Sequence, residues 1–152
     1  MIVSTDPFEA SGGGGTTTAL PGGASLFSPF ALRGLDIRNR IVISPMCQYS
    51  AHDGFADDWH LVHAGKFAQG GAGIVFLEAT AVLADGRITH GDLGLWKDEQ
   101  IPGLARISAF VRGQGATPGI QLGHAGRKSS MSRPWEGNGP LTPALIAAGS
   151  TP

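Results

Sequence analysis

Ile41-Val42-Ile43-Ser44-Pro45-Met46-Cys47 decides the fold of this chain. Three β-branched residues in a row, with no polar alternation, predict a parallel strand covered on both faces. Pro45 closes the run because it has no N–H to give to a ladder. Two further runs of the same kind follow. Gly73 to Glu78 predicts a second strand, and Ile120 to Leu122, entered through Pro118-Gly119, a third. Each breaks into small or polar residues at its C-terminal end, which is where α/β barrels and open α/β sheets build their sites.

Helical signals separate the strands. Asp57 or Asp58 can cap a helix over about Trp59 to Gln69, with Leu61, Ala64 and Ala68 on one stripe and Gly70-Gly71 as the stop. A second helix is expected from about Glu99 to Gly113. Ile101, Leu104, Ile107 and Val111 share one side, and Pro102 is tolerated in the first turn. Before the first strand, Leu26 to Ile37 reads as a short hairpin-like cap bent at Gly34. The stretches Ala79 to Asp92 and Ala125 to Pro152 read as loops. The order is cap, β, α, β, α, β, loop, the opening of a right-handed parallel α/β fold.

Composition bounds the alternatives. With 41% apolar and 15% charged residues, the middle of the 152-residue chain has the makings of a globular core. A net charge of −1 with scattered Lys and Arg excludes a nucleic-acid surface. No apolar run approaches the ~20 residues that span a bilayer. Residues 1–25, with Gly12 to Gly15 and Thr16 to Thr18, read as a flexible leader. The leader carries no Lys or Arg, so it lacks the charged start of a secretory signal. A single cysteine forms no internal disulfide, and a reducing, cytoplasmic setting is expected.

Four signatures stand in order: Arg38-Asn39-Arg40-Ile41-Val42-Ile43-Ser44-Pro45-Met46-Cys47, Glu78-Ala79-Thr80-Ala81-Val82, Gly86-Arg87-Ile88-Thr89, and Gly119-Ile120-Gln121-Leu122-Gly123-His124-Ala125-Gly126-Arg127-Lys128. With them the chain, from about Leu26 to Gly137, resembles the N-terminal part of the old yellow enzyme family, the FMN-dependent ene-reductases. It is most similar to the branch typified by bacterial YqjM-like and xenobiotic-reductase proteins. The resemblance implies the N-terminal portion of a TIM (β/α)8 barrel, about three of eight parallel strands, over residues 26–152. It also implies FMN as cofactor, NADPH or NADH as reductant, small activated alkenes as substrates, and a homo-oligomer for a full-length form.

The same resemblance places Pro45, Met46, Cys47, Ala79 and Gln121 at the flavin. It gives Cys47 and Tyr49 the reactive side: the thiol tunes the flavin and the Tyr49 hydroxyl hydrogen-bonds a ligand. On residue type alone, Cys47 reads equally as a small buried hydrophobe and Gln121 as a core amide bonded to backbone. A carboxamide offers both donor and acceptor, which suits the pyrimidine edge of a flavin. Arg127 and Trp135 stay without a role. The histidines could belong to a metal-dependent barrel, yet His60-x-x-His63 lacks the spacing and the Glu of a zinc helix, so no metal is assigned.

In the family, a His pair after the fourth strand holds the substrate carbonyl and a nearby Tyr supplies a proton. The last histidine here is His124, so neither is expected in this chain. A catalytically silent segment, or an interaction module that pairs with a complementary chain, is the alternative reading.

Overall fold

The computed structural model describes residues 25–143. The expected leader therefore lies outside the described residues except for Ser25, and so does the end of the chain from residue 144. The expected cap is an antiparallel hairpin of β1 (Phe30–Leu32) and β2 (Leu35–Ile37), with Phe30 opposite Ile37. Its bend is made by Arg33, at φ 54°, followed by Gly34. Then come β3 (Val42–Ile43), α1 (Asp58–Gln69), β4 (Ile74–Ala81), β5 (Leu93–Gly94), α2 (Ile101–Gly113) and β6 (Thr117–Gly123).

The sheet is built on β4. β6 runs parallel along one edge of it, from Ile74 opposite Thr117 to Ala81 opposite Gly123. The other edge is shared: β3 pairs with its start, Val42 opposite Ile74, and β5 with its end, Thr80 opposite Leu93. The three expected strands thus lie side by side, parallel and in sequence order. Both helices cover one face. Ala64, Ala68 and Ala72 meet Val75, Ile107, Val111 and Ala116 in a single core, with Ile43, Leu61 and Leu77 packed around it. Alanines on α1 let its backbone lie close to the sheet.

Four details depart from the sequence reading. β4 continues through Ala79-Thr80-Ala81, three residues past the expected end, because β6 goes on pairing with it. β5 is unexpected; it follows directly on the expected loop, and its two residues are held by the end of β4 and by the bond from the Gly94 amide to the Gly54 carbonyl (2.9 Å). The first strand is not covered on both faces: Val42 is 46% exposed on the side away from the helices. Ile101 is 48% exposed and Leu104 half-buried. Instead of joining the packed stripe, they line an apolar groove with Leu77, Leu95 and Ile120 on the flank of α2.

Arg38, between β2 and β3, ties the helix ends to the sheet. Its guanidinium donates to the carbonyls of Ala68 (2.9 Å), Ala72 (2.8 and 3.1 Å) and Gln114 (2.6 Å). The last carbonyls of a helix have no partner within the helix and carry its negative end. One cation here serves the C-terminal ends of both α1 and α2. Replacing Arg38 by Met keeps much of the stem but removes every one of these bonds. Unfolding in urea, followed by circular dichroism, should show a loss of ~3 kcal/mol, since bonds from a charged donor contribute about 1.5–3 kcal/mol each and the carbonyls regain water only in part. A loss below ~0.5 kcal/mol would mean that the helix ends do not depend on it.

Candidate functional site

The C-terminal ends of β3, β4 and β6 open on one depression. Cys47 from the turn after β3, Ala79, Thr80 and Ala81 from β4, and Gln121 to Gly123 from β6 line it, with Gly86 and Asp92 on the far wall. Three residues singled out from the sequence, Cys47, Ala79 and Gln121, are therefore brought together. Tyr49 lies on the adjoining depression with Arg127, Lys128 and Met131. Its ring meets that of Trp135 edge-on, with centroids 6.1 Å apart. Pro45 and Met46 line neither depression, and Met46 is 40% exposed.

A bulge in β4 arranges this end of the sheet. Leu77 stands opposite Ile120 and Ala79 opposite Gln121, so Glu78 has no counterpart on β6. An extra residue re-aims the side chains around it. Glu78 is buried, 3% exposed, and turns toward the start of α1. Its Oε2 accepts the Gln48 amide at 2.8 Å, and its Oε1 lies 3.3 Å from His60 Nε2. That second contact is not an aligned hydrogen bond, and it becomes an ion pair only when His60 is protonated.

His60 links the sheet to the cap of α1. Asp57 is the N-cap; its Oδ1 accepts the amides of Trp59 (3.0 Å) and His60 (3.4 Å). His60 Nδ1 sits 2.6 Å from the same oxygen. A histidine thus fills the third helical position, where Glu or Gln closes the usual capping box. A neutral His60 donating to Asp57 would turn the lone pair of Nε2 on Glu78. Burial disfavours the charged ring, but Glu78 and then Asp57 outweigh it and raise the His60 pKa above its ordinary value of 6.5.

The thiol of Cys47 is kept neutral. Burial first, then the Asp92 and Glu78 carboxylates, raise its pKa above 9.0; the nearby Ala79 amide and Tyr49 hydroxyl offset this in part. Tyr49 is pushed up as well, by burial and then by Cys47 and Asp92. A neutral thiol is a poor nucleophile. Tyr49 itself has φ 54°, a region sparsely used by aromatic residues. The turn is held there by its neighbours: the Ala51 amide donates to Gly91 (2.9 Å), and a Cβ on Gly91 would strike the Tyr49 carbonyl.

Asp92 forms the far wall. It is 1% exposed and accepts from the Ile88 amide (2.7 Å) and the Thr89 hydroxyl (2.9 Å). Burial raises its pKa from 3.8 despite these bonds. On the same wall, a Cβ on Gly86 would come within 2.8 Å of the His124 ring. The sequence reading passed over Glu78, His60, Gln48 and Asp92 as site residues. A charged residue within an apolar run was a usable signal for Glu78. Nothing in the spacing marks Asp92, which comes from an irregular loop.

The raised pKa of His60 fixes the sign of a pH effect. A group bound more tightly to its proton in the folded state stabilises that state fully below its unfolded value. Its contribution is lost as the pH rises from 6.5 through the folded pKa. Urea unfolding of the wild type from pH 5.5 to 8.5 should therefore lose stability relative to His60→Gln as the pH rises. Parallel curves for the two proteins would show that no proton is held between Asp57 and Glu78.

The donor set suits a flat heteroaromatic ligand. Small residues line the depression, and the Gln121 carboxamide makes no hydrogen bond to another described residue. Among solved structures, morphinone reductase in complex with tetrahydroNAD superposes on 71% of this chain with a TM-score of 0.65 at 27% identity, using 29% of its own length. The old yellow enzyme of Trypanosoma cruzi matches 68% of the chain and 28% of its own, with a TM-score of 0.62 at 26% identity. An NADH:flavin oxidoreductase of Gibberella zeae is 50% identical over 80% of this chain and 29% of its own length. An NADPH dehydrogenase of Geobacillus is 51% identical over 70% and 32%. The chain thus spans about a third of the length of these curated relatives. With residues 25–150 matching the profile of the NADH:flavin oxidoreductase / NADH oxidase family, and these barrel neighbours, the chain belongs to that family, whose old yellow enzyme fold and membership imply FMN with NADH or NADPH as reductant.

Proposed function

We propose that this chain supplies the Cys47, Ala79 and Gln121 face of an FMN site in an NAD(P)H-dependent oxidoreductase that reduces activated C=C bonds. The observation that carries it is the meeting of these residues, from three neighbouring strands, on one depression at the strands' C-terminal ends. Gln121 gives the pyrimidine edge of the flavin a donor and an acceptor. Ala79 keeps that approach clear, and its amide steadies the Cys47 sulfur. The neutral thiol tunes the flavin's potential without attacking it. Pro45 and Met46 complete the turn beside it, and the Tyr49 hydroxyl faces the substrate side. FMN held there would supply hydride chemistry, coupling oxidation of NADH or NADPH to reduction of the alkene, with the added proton drawn from solvent. In the cell the whole protein is a cytoplasmic homo-oligomer acting on small molecules.

A second reading is favoured by the apolar groove on the flank of α2, lined by the exposed Ile101 and the half-buried Leu104 and Ile120. There the chain is a silent module that pairs with a complementary polypeptide.

Substitution separates the roles. Gln121→Leu should weaken FMN binding about fivefold, the equivalent of the ~1 kcal/mol of a neutral hydrogen bond. Cys47→Ala should leave FMN affinity within twofold while shifting the flavin's reduction potential. Both are read by calorimetry and anaerobic spectroelectrochemistry. Loss of FMN from a folded Cys47→Ala protein would sink the tuning role, and an unchanged affinity in Gln121→Leu would sink the pyrimidine contact. The chain by itself should bind FMN weakly and turn over little 2-cyclohexenone with NADPH. Turnover at the rate of a full-length relative would contradict the reading of residues 26–152 as only part of the catalytic domain.

A further inference from the structure

We propose that Glu78, oriented by His60, is a positioning residue that fixes the Cys47–Tyr49 turn and with it the Cys47 thiol in the depression. The route is short. Glu78 Oε2 takes the Gln48 amide at 2.8 Å, and Gln48 is the next residue after Cys47. Glu78 Oε1 faces His60 Nε2 at 3.3 Å, and His60 Nδ1 is held by Asp57 at 2.6 Å. The side chains of Glu78 and His60 are 2% and 1% exposed, so neither has water as an alternative partner. The bulge that removes Glu78 from the ladder with β6 is what lets it reach the turn.

A second tie runs beside the first. Gln48 donates from Nε2 to the Met46 carbonyl (2.8 Å) and accepts the Trp59 indole N–H at Oε1 (3.1 Å). The turn is thus fastened to the first turn of α1 from both sides. Between these fastenings Cys47 is held on the depression with Ala79. The ionisable groups facing the thiol are Glu78 from β4, Asp92 from the loop before β5, and Tyr49 from its own turn. Those facing His60 are Asp57, Glu78 and His63.

The test uses no flavin, so its failure is separate from failure of the flavin reading. Cys47 is the only cysteine in the chain, so iodoacetamide adducts located on the Cys47 peptide by tandem mass spectrometry, apart from any on amines or imidazoles, report on it. Alkylation rates are measured from pH 7 to 10.5, with circular dichroism confirming the fold at each pH. Glu78→Gln keeps an acceptor for the Gln48 amide and removes the charge. Its rate profile should move to lower pH, and a thiol that ionises one pH lower reacts about tenfold faster at pH 7. Glu78→Ala releases the turn, and should also raise the limiting rate at high pH several-fold. His60→Gln leaves Glu78 charged but without its orienting partner. It should raise the limiting rate while the midpoint stays above that of Glu78→Gln. A folded Glu78→Ala protein with the wild-type profile overturns the proposal. Should that variant not fold, a wild-type midpoint in Glu78→Gln overturns it instead. A wild-type limiting rate in His60→Gln removes His60 from the role.

Discussion

A carboxylate buried inside a β-strand has to be given partners, and the site end of this molecule is arranged around that need. Glu78 lies within the strand that every other parallel strand touches. Leaving a buried charge without a partner costs about 3–5 kcal/mol. The chain meets the demand with a bulge, a histidine at the third position of α1, and the amide of Gln48. Each partner belongs to a different element. The strand, the helix start and the turn after β3 therefore have to take up their places together.

The proposed flavin site depends on that arrangement through Cys47. A thiol on an irregular turn has no place of its own. Here the turn is pinned by Glu78 below and closed by Gly91 and Asp92 above, and Tyr49 accepts an unfavourable backbone conformation within it. Strain of this kind persists when the surroundings over-determine it, and it gathers at functional sites. Burial, and after it the Asp92 and Glu78 carboxylates, favour the protonated sulfur. In the proposed flavin site, a neutral donor beside the cofactor and an inert nucleophile would be the same physical fact.

Much of this was legible in the sequence. The strands at Ile41, Ile74 and Ile120 announce themselves as apolar runs, and Asp57 with Gly70 brackets α1. Strand ends located the rim of the sheet, and the family resemblance singled out Cys47, Ala79 and Gln121 on it. What escaped was decided by pairing across distance. The extension of β4 to Ala81 and the existence of β5 depend on hydrogen-bonded neighbours, not on local pattern. Glu78 looked like the end of a strand because a bulge cannot be read from one strand alone. His60 looked like one of a loose set of histidines until the fold set it against Glu78. Asp92 arrives from a loop whose only cues are Thr89 and Gly91.

The central claim is that the depression between Cys47, Ala79 and Gln121 receives the isoalloxazine of FMN. The most direct measurement is the alkylation of Cys47 by iodoacetamide at fixed pH as FMN is added, compared with riboflavin and with free phosphate. The rate should fall along a saturable curve with FMN and with riboflavin, remain unchanged with phosphate, and need about fivefold more flavin for the same protection in Gln121→Leu. A rate that stays at the flavin-free value up to the solubility limit of FMN would contradict the account.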